Sequence, residues 1–199
     1  MQPVQPAEPF ERIFRSNSLP RDNFLARLFG IFSEELVRIW CSCEQAPYRD
    51  VGRPTLRKPG QNHGHTLDFT FQDRLTGQLF AAEMKCWITW QDFRYLRLTG
   101  PDQLDGITEP AFTSFLAFVR NPADYQVFVH GKLIEAAGAI LVWGAATPEG
   151  RSGARVRGIA AVLTAEDIIR DLHDWQPTAW QEFVALRRGW ATELFDYLG

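Results

Sequence analysis

The stretch HTLDFTFQDRLTGQLFAAEMKCW, residues 65–87, decides how the whole chain is read. Two apolar-rich runs flank a short turn carrying Gly77, the pattern of a β-hairpin. Each run also holds charge at its centre: Asp68 in LDFTF, then Glu83 and Lys85 in AAEMKC. Side chains alternate across a strand. Alternation puts Leu67, Phe69 and Phe71 on one face and Asp68, Thr70 and Gln72 on the other. In the second run Phe80, Ala82, Met84 and Cys86 lie opposite Ala81, Glu83, Lys85 and Trp87. A turn over residues 74–77 makes Asp68 and Glu83 cross-strand neighbours, provided no bulge at Gly77 shifts the register. Carboxylates so placed repel each other unless a cation lies between them. Mg²⁺ is bound in this way, by one or two carboxylates together with water and substrate phosphate oxygens. Lys85 points to the same spot, where an ammonium offsets charge on a phosphate. The competing reading is a solvated strand face with weak ion pairs. Ala81 and Trp87 beside the charges argue against a uniformly polar face.

The bulk numbers set the frame. A chain of 199 residues with 45% apolar and 23% charged residues suits one sizeable globular domain. We assign that domain to residues 21–199, behind an arm over 1–20 that holds four of the twelve prolines. No apolar run approaches the ~18 residues of a membrane span, and MQPVQPAEPFERIF lacks the basic-then-apolar pattern of a signal peptide. Cys41, Cys43 and Cys86 are odd in number and lack zinc-type spacing, so a reduced, cytoplasmic chain is expected. A net charge of −3 argues against a dedicated nucleic-acid binder, which carries a positive surplus. Only local basic patches reverse that.

Outward from the hairpin the elements follow in order. Asp22 caps a helix over 23–41, with Leu25, Leu28, Phe29, Phe32, Leu36 and Ile39 at helical spacing. One strand is expected within 48–56, then the hairpin, then a helix over 101–119 ended by Asn121-Pro122. The run AGAILVW, 137–143, reads as a buried strand. GRSGARVRG, 150–158, reads as a basic glycine-rich loop, 159–163 as a strand, and Thr164 and Thr178 as caps of two last helices. This order predicts an α/β fold with a mixed sheet.

Leu67-Asp68 followed by Glu83-Met84-Lys85 resembles the PD-(D/E)xK nuclease superfamily. The core of that superfamily, the restriction-endonuclease-like fold, is a helix, three antiparallel strands, a helix and a further strand (αβββαβ). The resemblance spans residues 23–143 and departs at Leu67, where the family name has proline. It implies a metal-dependent hydrolysis of phosphodiester bonds in nucleic acid, DNA in the first instance. Asp68, Glu83 and the Met84 carbonyl would hold Mg²⁺, which Mn²⁺ can replace, and Lys85 would position the attacking water. An acid on the first helix often joins such a site. Glu34 and Glu35 are the candidates, and Glu35, beside Leu28, Ile31 and Ile39, is expected to border the buried face. The resemblance also admits a homodimer, since a lone domain needs two active sites to cut both strands.

Weaker signals surround this site. Asn62-His63-Gly64-His65 contains a His-x-His pattern. A zinc hydrolase would need further ligands at spacings that this chain lacks, so His63 and His65 are read as plain surface histidines or as contacts to substrate phosphate or to a water near the site. Gln91 and Tyr95 fit the Gln-xxx-Tyr motif of the RecB-like branch of the same superfamily. Arg53, Arg57 and Lys58 precede the hairpin, Arg94 and Arg97 follow it, and Arg151, Arg155 and Arg157 lie in the glycine-rich run. Such groups track a phosphate backbone, with Trp87, Trp90 or Tyr95 stacking on bases. Two other readings stand beside the nuclease: a catalytically inactive binding or assembly module of the same fold, and an unrelated α/β domain with solvated hairpin charges.

Overall fold

In the computed structural model, which describes residues 23–86 and 93–199, the hairpin forms the middle of a five-stranded sheet. The 1–20 arm, the Asp22 cap, Trp87, Trp90 and Gln91 lie outside the described residues. The sheet holds β1 (Tyr48–Asp50), β4 (Phe69–Asp73), β5 (Leu79–Lys85), β9 (Gly138–Trp143) and β11 (Ala161–Thr164), side by side in that order. The first three run antiparallel, and β9 and β11 continue parallel to β5. The result is a mixed sheet in an α/β fold, as expected. Strand β9 lies between two parallel neighbours and is buried from Ala139 to Trp143, which explains its unbroken apolar run.

Helices cover both faces. Helix α1 (Asn23–Ser42) turns Phe29, Leu36, Val37, Trp40 and Cys41 onto Phe69, Phe71, Ala82 and Met84. Ahead of the opposite face come β6 (Arg97–Leu98) and a single turn, α2 (Asp102–Asp105), and then α3 (Pro110–Arg120). Helix α3 packs Phe112, Phe115 and Phe118 with Ala81, Leu141 and Trp143. Burying each of these phenylalanines contributes about 1.5–3 kcal/mol. Strand β10 (Ala145–Ala146) pairs with β6 and leads to α4 (Pro148–Val156). After β11 come α5 (Ala165–Trp175) and α6 (Thr178–Leu198). Trp40 Nε1 donates to Asp171 Oδ2 at 2.9 Å and ties α1 to α5. No helix among the described residues is long and apolar enough to cross a membrane.

Several expectations are corrected. The segment 48–56 is two strands, β1 and β2 (Pro54–Arg57), in different sheets. The positive φ of Gly52 marks the break between them. The run from His65 is likewise divided. β3 (His65–Thr66) pairs with β2, the Leu67 N–H goes to the Pro54 carbonyl at 2.8 Å, and Asp68 sits at a bend before β4. Leu67 therefore packs with α3 rather than with Phe69 and Phe71. A second sheet, β3-β2-β7-β8, is completed by the hairpin of β7 (Gln126–Val129) and β8 (Lys132–Ile134), which the sequence reading left without strands. The helix over 101–119 is two helices, α2 and α3.

The glycine-rich run is no loop but helix α4. Thr147 caps it by accepting from the Gly150 N–H at 3.1 Å, and Pro148 stands at its first position. Gly150 serves contact rather than flexibility. A Cβ there would meet the Leu98 carbonyl oxygen at 2.1 Å, so only glycine lets this helix press against β6.

Candidate active site

The β4–β5 pairing matches Phe69 to Ala82, and one further step in that register sets Asp68 opposite Glu83. The Asp73 carboxylate fixes the turn by accepting from the Leu75 and Thr76 N–H groups, and Gly77 takes the positive φ that closes it. Asp68 Oδ2 then accepts from the Met84 N–H at 2.9 Å. Arg53 stands 3.6 Å from Asp68 Oδ1 and donates to the Leu67 carbonyl.

Glu83 and Lys85 project from β5 on the α3 side, and both are buried, at 3% and 7% exposure. Lys85 Nζ lies 2.8 Å from Glu83 Oε1 and 2.8 Å from Glu109 Oε2. It also sits 5.7 Å from the centre of the Phe112 ring. Glu83 Oε2 is buried with no hydrogen-bond partner among the described residues, so one oxygen of this acid has lone pairs to offer.

Burial dominates the acid–base behaviour here. It pushes Glu83 up to about 7, against the pull of Lys85, and the Asp68 charge adds to the rise. Asp68 is also raised, by burial first, although the Met84 N–H and Lys85 act the other way. Burial alone would lower Lys85, but Glu83 and Glu109 outweigh it and hold the ammonium charged above its ordinary range. The site is thus a partly desolvated carboxylate pair beside a cation that stays protonated.

The expected helix acid, Glu35, has a second acid, Glu34, beside it. Of the neighbours on which the Glu35 expectation rested, Leu28 and Ile31 are 48% and 71% exposed, while Ile39 packs partly buried against the core. The buried face is instead Phe29, Ser33, Leu36, Val37 and Trp40. Glu34 and Glu35 flank that face alike, with side chains 43% and 44% exposed. The helix acid whose charge reaches Asp68 is Glu34. Arg38 bridges both, at 3.0 Å from Glu34 and 2.7 Å from Glu35.

Among the described residues no group of three His, Cys, Asp or Glu side chains is gathered closely enough to hold a metal ion by itself. A closed protein cage is therefore not what these residues offer. Asp68 and the unpartnered Glu83 oxygen suit the other arrangement, in which a hard cation keeps several waters and takes oxygens from a phosphate.

Two participants were missed in the sequence. Glu109 precedes Pro110 at the start of α3, a helix-start signal hidden by reading 101–119 as one helix. Arg53 was counted only as one of a basic patch.

The remaining candidates divide. His63, His65 and Lys58 line a groove of about 830 Å³ beside α3. Arg57 instead lies over the Phe128 ring at 4.7 Å. Arg94 pairs with Asp102 at 3.4 Å. Tyr95 is buried against Trp143, which removes it as a base-stacking surface. Arg151 is engaged by Asp167 and Arg157 by Asp105, so the third basic cluster is largely structural. The chain matches no protein-family model, no curated protein and no solved structure.

Proposed function

We propose that the protein is a metal-dependent nuclease of the restriction-endonuclease-like kind, hydrolysing phosphodiester bonds in nucleic acid, with DNA as the first substrate to test. One observation carries the reading. Two adjacent central strands and the bend before one of them bring an aspartate, a buried glutamate with an open oxygen and a lysine together at one end of a mixed sheet. Asp68, Glu83 and the Met84 carbonyl are the groups that would hold Mg²⁺ or Mn²⁺, with Glu34 or Glu35 of α1 contributing through water. Bound there, the ion supplies a Lewis acid and lowers the pKa of a water.

The chain's own residues do the rest. Lys85 stays charged between Glu83 and Glu109, so it can orient a water and offset the negative charge that develops on the phosphoryl oxygens. Glu109 anchors the ammonium from the α3 side, leaving Glu83 free to give up its hold on Lys85. Met84 N–H fixes the Asp68 carboxylate in its orientation. Arg53, on the other Asp68 oxygen, adds positive charge where a phosphodiester would approach.

The test is cleavage of labelled single-stranded and duplex DNA and RNA with Mg²⁺ or Mn²⁺. Asp68→Asn, Glu83→Gln and Lys85→Met should each lower the rate by about 10²-fold or more while circular dichroism stays that of the parent. Cleavage that persists in all three variants removes the assignment. A non-catalytic binding module of the same fold is the second reading. The pairing of Lys85 by two acids, and the lack among the described residues of three side chains gathered to hold a metal ion, favour it. Calorimetric titration with Mg²⁺ separates the two, because the nuclease requires uptake that Asp68→Asn abolishes.

A further inference from the structure

The groove beside α3 has a chemistry of its own. One wall is the loop from Lys58 through Asn62 to His65, and the other is the outer face of α3 at Thr113 and Ser114, with Tyr125 at one side. Among the described residues no aspartate or glutamate lines it, in a chain with 24 acids against 21 Lys and Arg. A cation, two imidazoles, amides, hydroxyls and an aromatic ring make a surface for an anion that also carries a flat ring system. Gly64 shapes it: a Cβ there would meet the Leu56 carbonyl oxygen at 2.1 Å, so the loop lies flat on β2 and leaves the space open.

We infer that this groove binds a single-stranded segment of nucleic acid. A volume of about 830 Å³ falls in the range of clefts that enclose small ligands, and accepts about one or two nucleotides rather than a duplex. Lys58 and the imidazoles take the phosphates, and Tyr125 offers a ring on which a base stacks. Along the chain, the groove residues lie close to the site. His65 is three residues before Asp68, at most ~10 Å along the chain. Thr113 stands one helical turn, ~6 Å, beyond Glu109. A strand held in the groove therefore leads its next phosphates toward Asp68 and Glu83. The inference deepens the nuclease reading and rests on it for the fate of the strand, though not for binding.

The test uses the full chain in EDTA and the fluorescence anisotropy of a labelled twelve-nucleotide oligo(dT), a twelve-base-pair duplex and the mononucleotide. The single strand should bind tightest. Lys58→Glu should weaken it about tenfold and reduce the slope of log affinity against log salt by about 0.7 or more. Ser114→Trp, an exposed-side change that fills the groove, should weaken it comparably and leave melting unchanged. Equal affinity in both variants, tighter binding of the duplex, or equal competition by a polyglutamate peptide of matched charge overturns the inference. Failure of the two readings is distinguishable. If Asp68→Asn binds the oligonucleotide as the parent does and the parent cuts nothing with Mg²⁺ or Mn²⁺, the groove stands and the nuclease falls. If the parent cuts and the groove variants bind and cut like it, the groove falls and the nuclease stands.

Discussion

Replacing Glu83 by glutamine should change how stability depends on pH, and the size of the change follows from burial. An acid raised by folding is held uncharged in the native state over a window where the unfolded chain has already released its proton. For Glu83 the window runs from its ordinary 4.5 to about 7. Within it the native state binds more protons, so stability falls as pH rises. At ~1.4 kcal/mol for each tenfold change in proton affinity, the fall is about 3 kcal/mol. Asp68, also raised, adds in the same direction. The groups that work the other way lie outside the window. Asp73, Asp105 and Asp167 are lowered, so their contribution is lost only as pH drops below the ordinary 3.8. Lys85, raised, loses its contribution only above 10.5. Urea unfolding followed by tryptophan fluorescence at pH 5, 6, 7 and 8, without divalent ions, measures this directly. Between pH 5 and 8, which leaves out the lowest part of the window, the parent should lose about 2–3 kcal/mol through Glu83 and somewhat more with Asp68, and Glu83→Gln should lose about 2–3 kcal/mol less than the parent. A parent curve that is flat or rises from pH 5 to 8, or a variant that keeps the full fall, refutes the claim that Glu83 is folded away as a buried acid.

Three further outcomes are expected. Gln103, buried in α2, accepts from the Thr99 and Gly100 N–H groups and donates to the Arg94 and Arg97 carbonyls. Gln103→Ala orphans these groups and should cost about 2–4 kcal/mol in urea unfolding, with the loss vanishing only if water replaces the amide. Gly150→Ala drives a methyl into the Leu98 carbonyl and should lower stability by about 1–3 kcal/mol, whereas the exposed Gly189→Ala, with open space around it inside α6, should raise it by up to about 1 kcal/mol. Phe112→Ala opens a cavity under Lys85 and should cost about 3–5 kcal/mol by thermal or urea unfolding.

Read alone, the residues of 65–87 were enough to reach the hairpin, its register and the pairing of Asp68 with Glu83, because alternation and turn chemistry are local properties. AGAILVW was legible as a buried strand, and Thr164 as a cap, for the same reason. What the chain could not disclose was decided between distant segments. Gly150 and Gly153 of GRSGARVRG look like part of a loop until Leu98 and Pro101 are seen pressing on them. Leu28 and Ile31 looked like members of the covered stripe on α1, yet both are exposed, because which apolar residues of a helix are covered depends on what packs there. Glu109 reaches Lys85 from 24 positions away, and the groove wall of α3 meets the histidine loop only after β2, β3 and β7 have paired into a second sheet. Local propensity and alternation are written residue by residue. Burial, and with it the charge state of Glu83 and the partners of Lys85, exists only once the layers close.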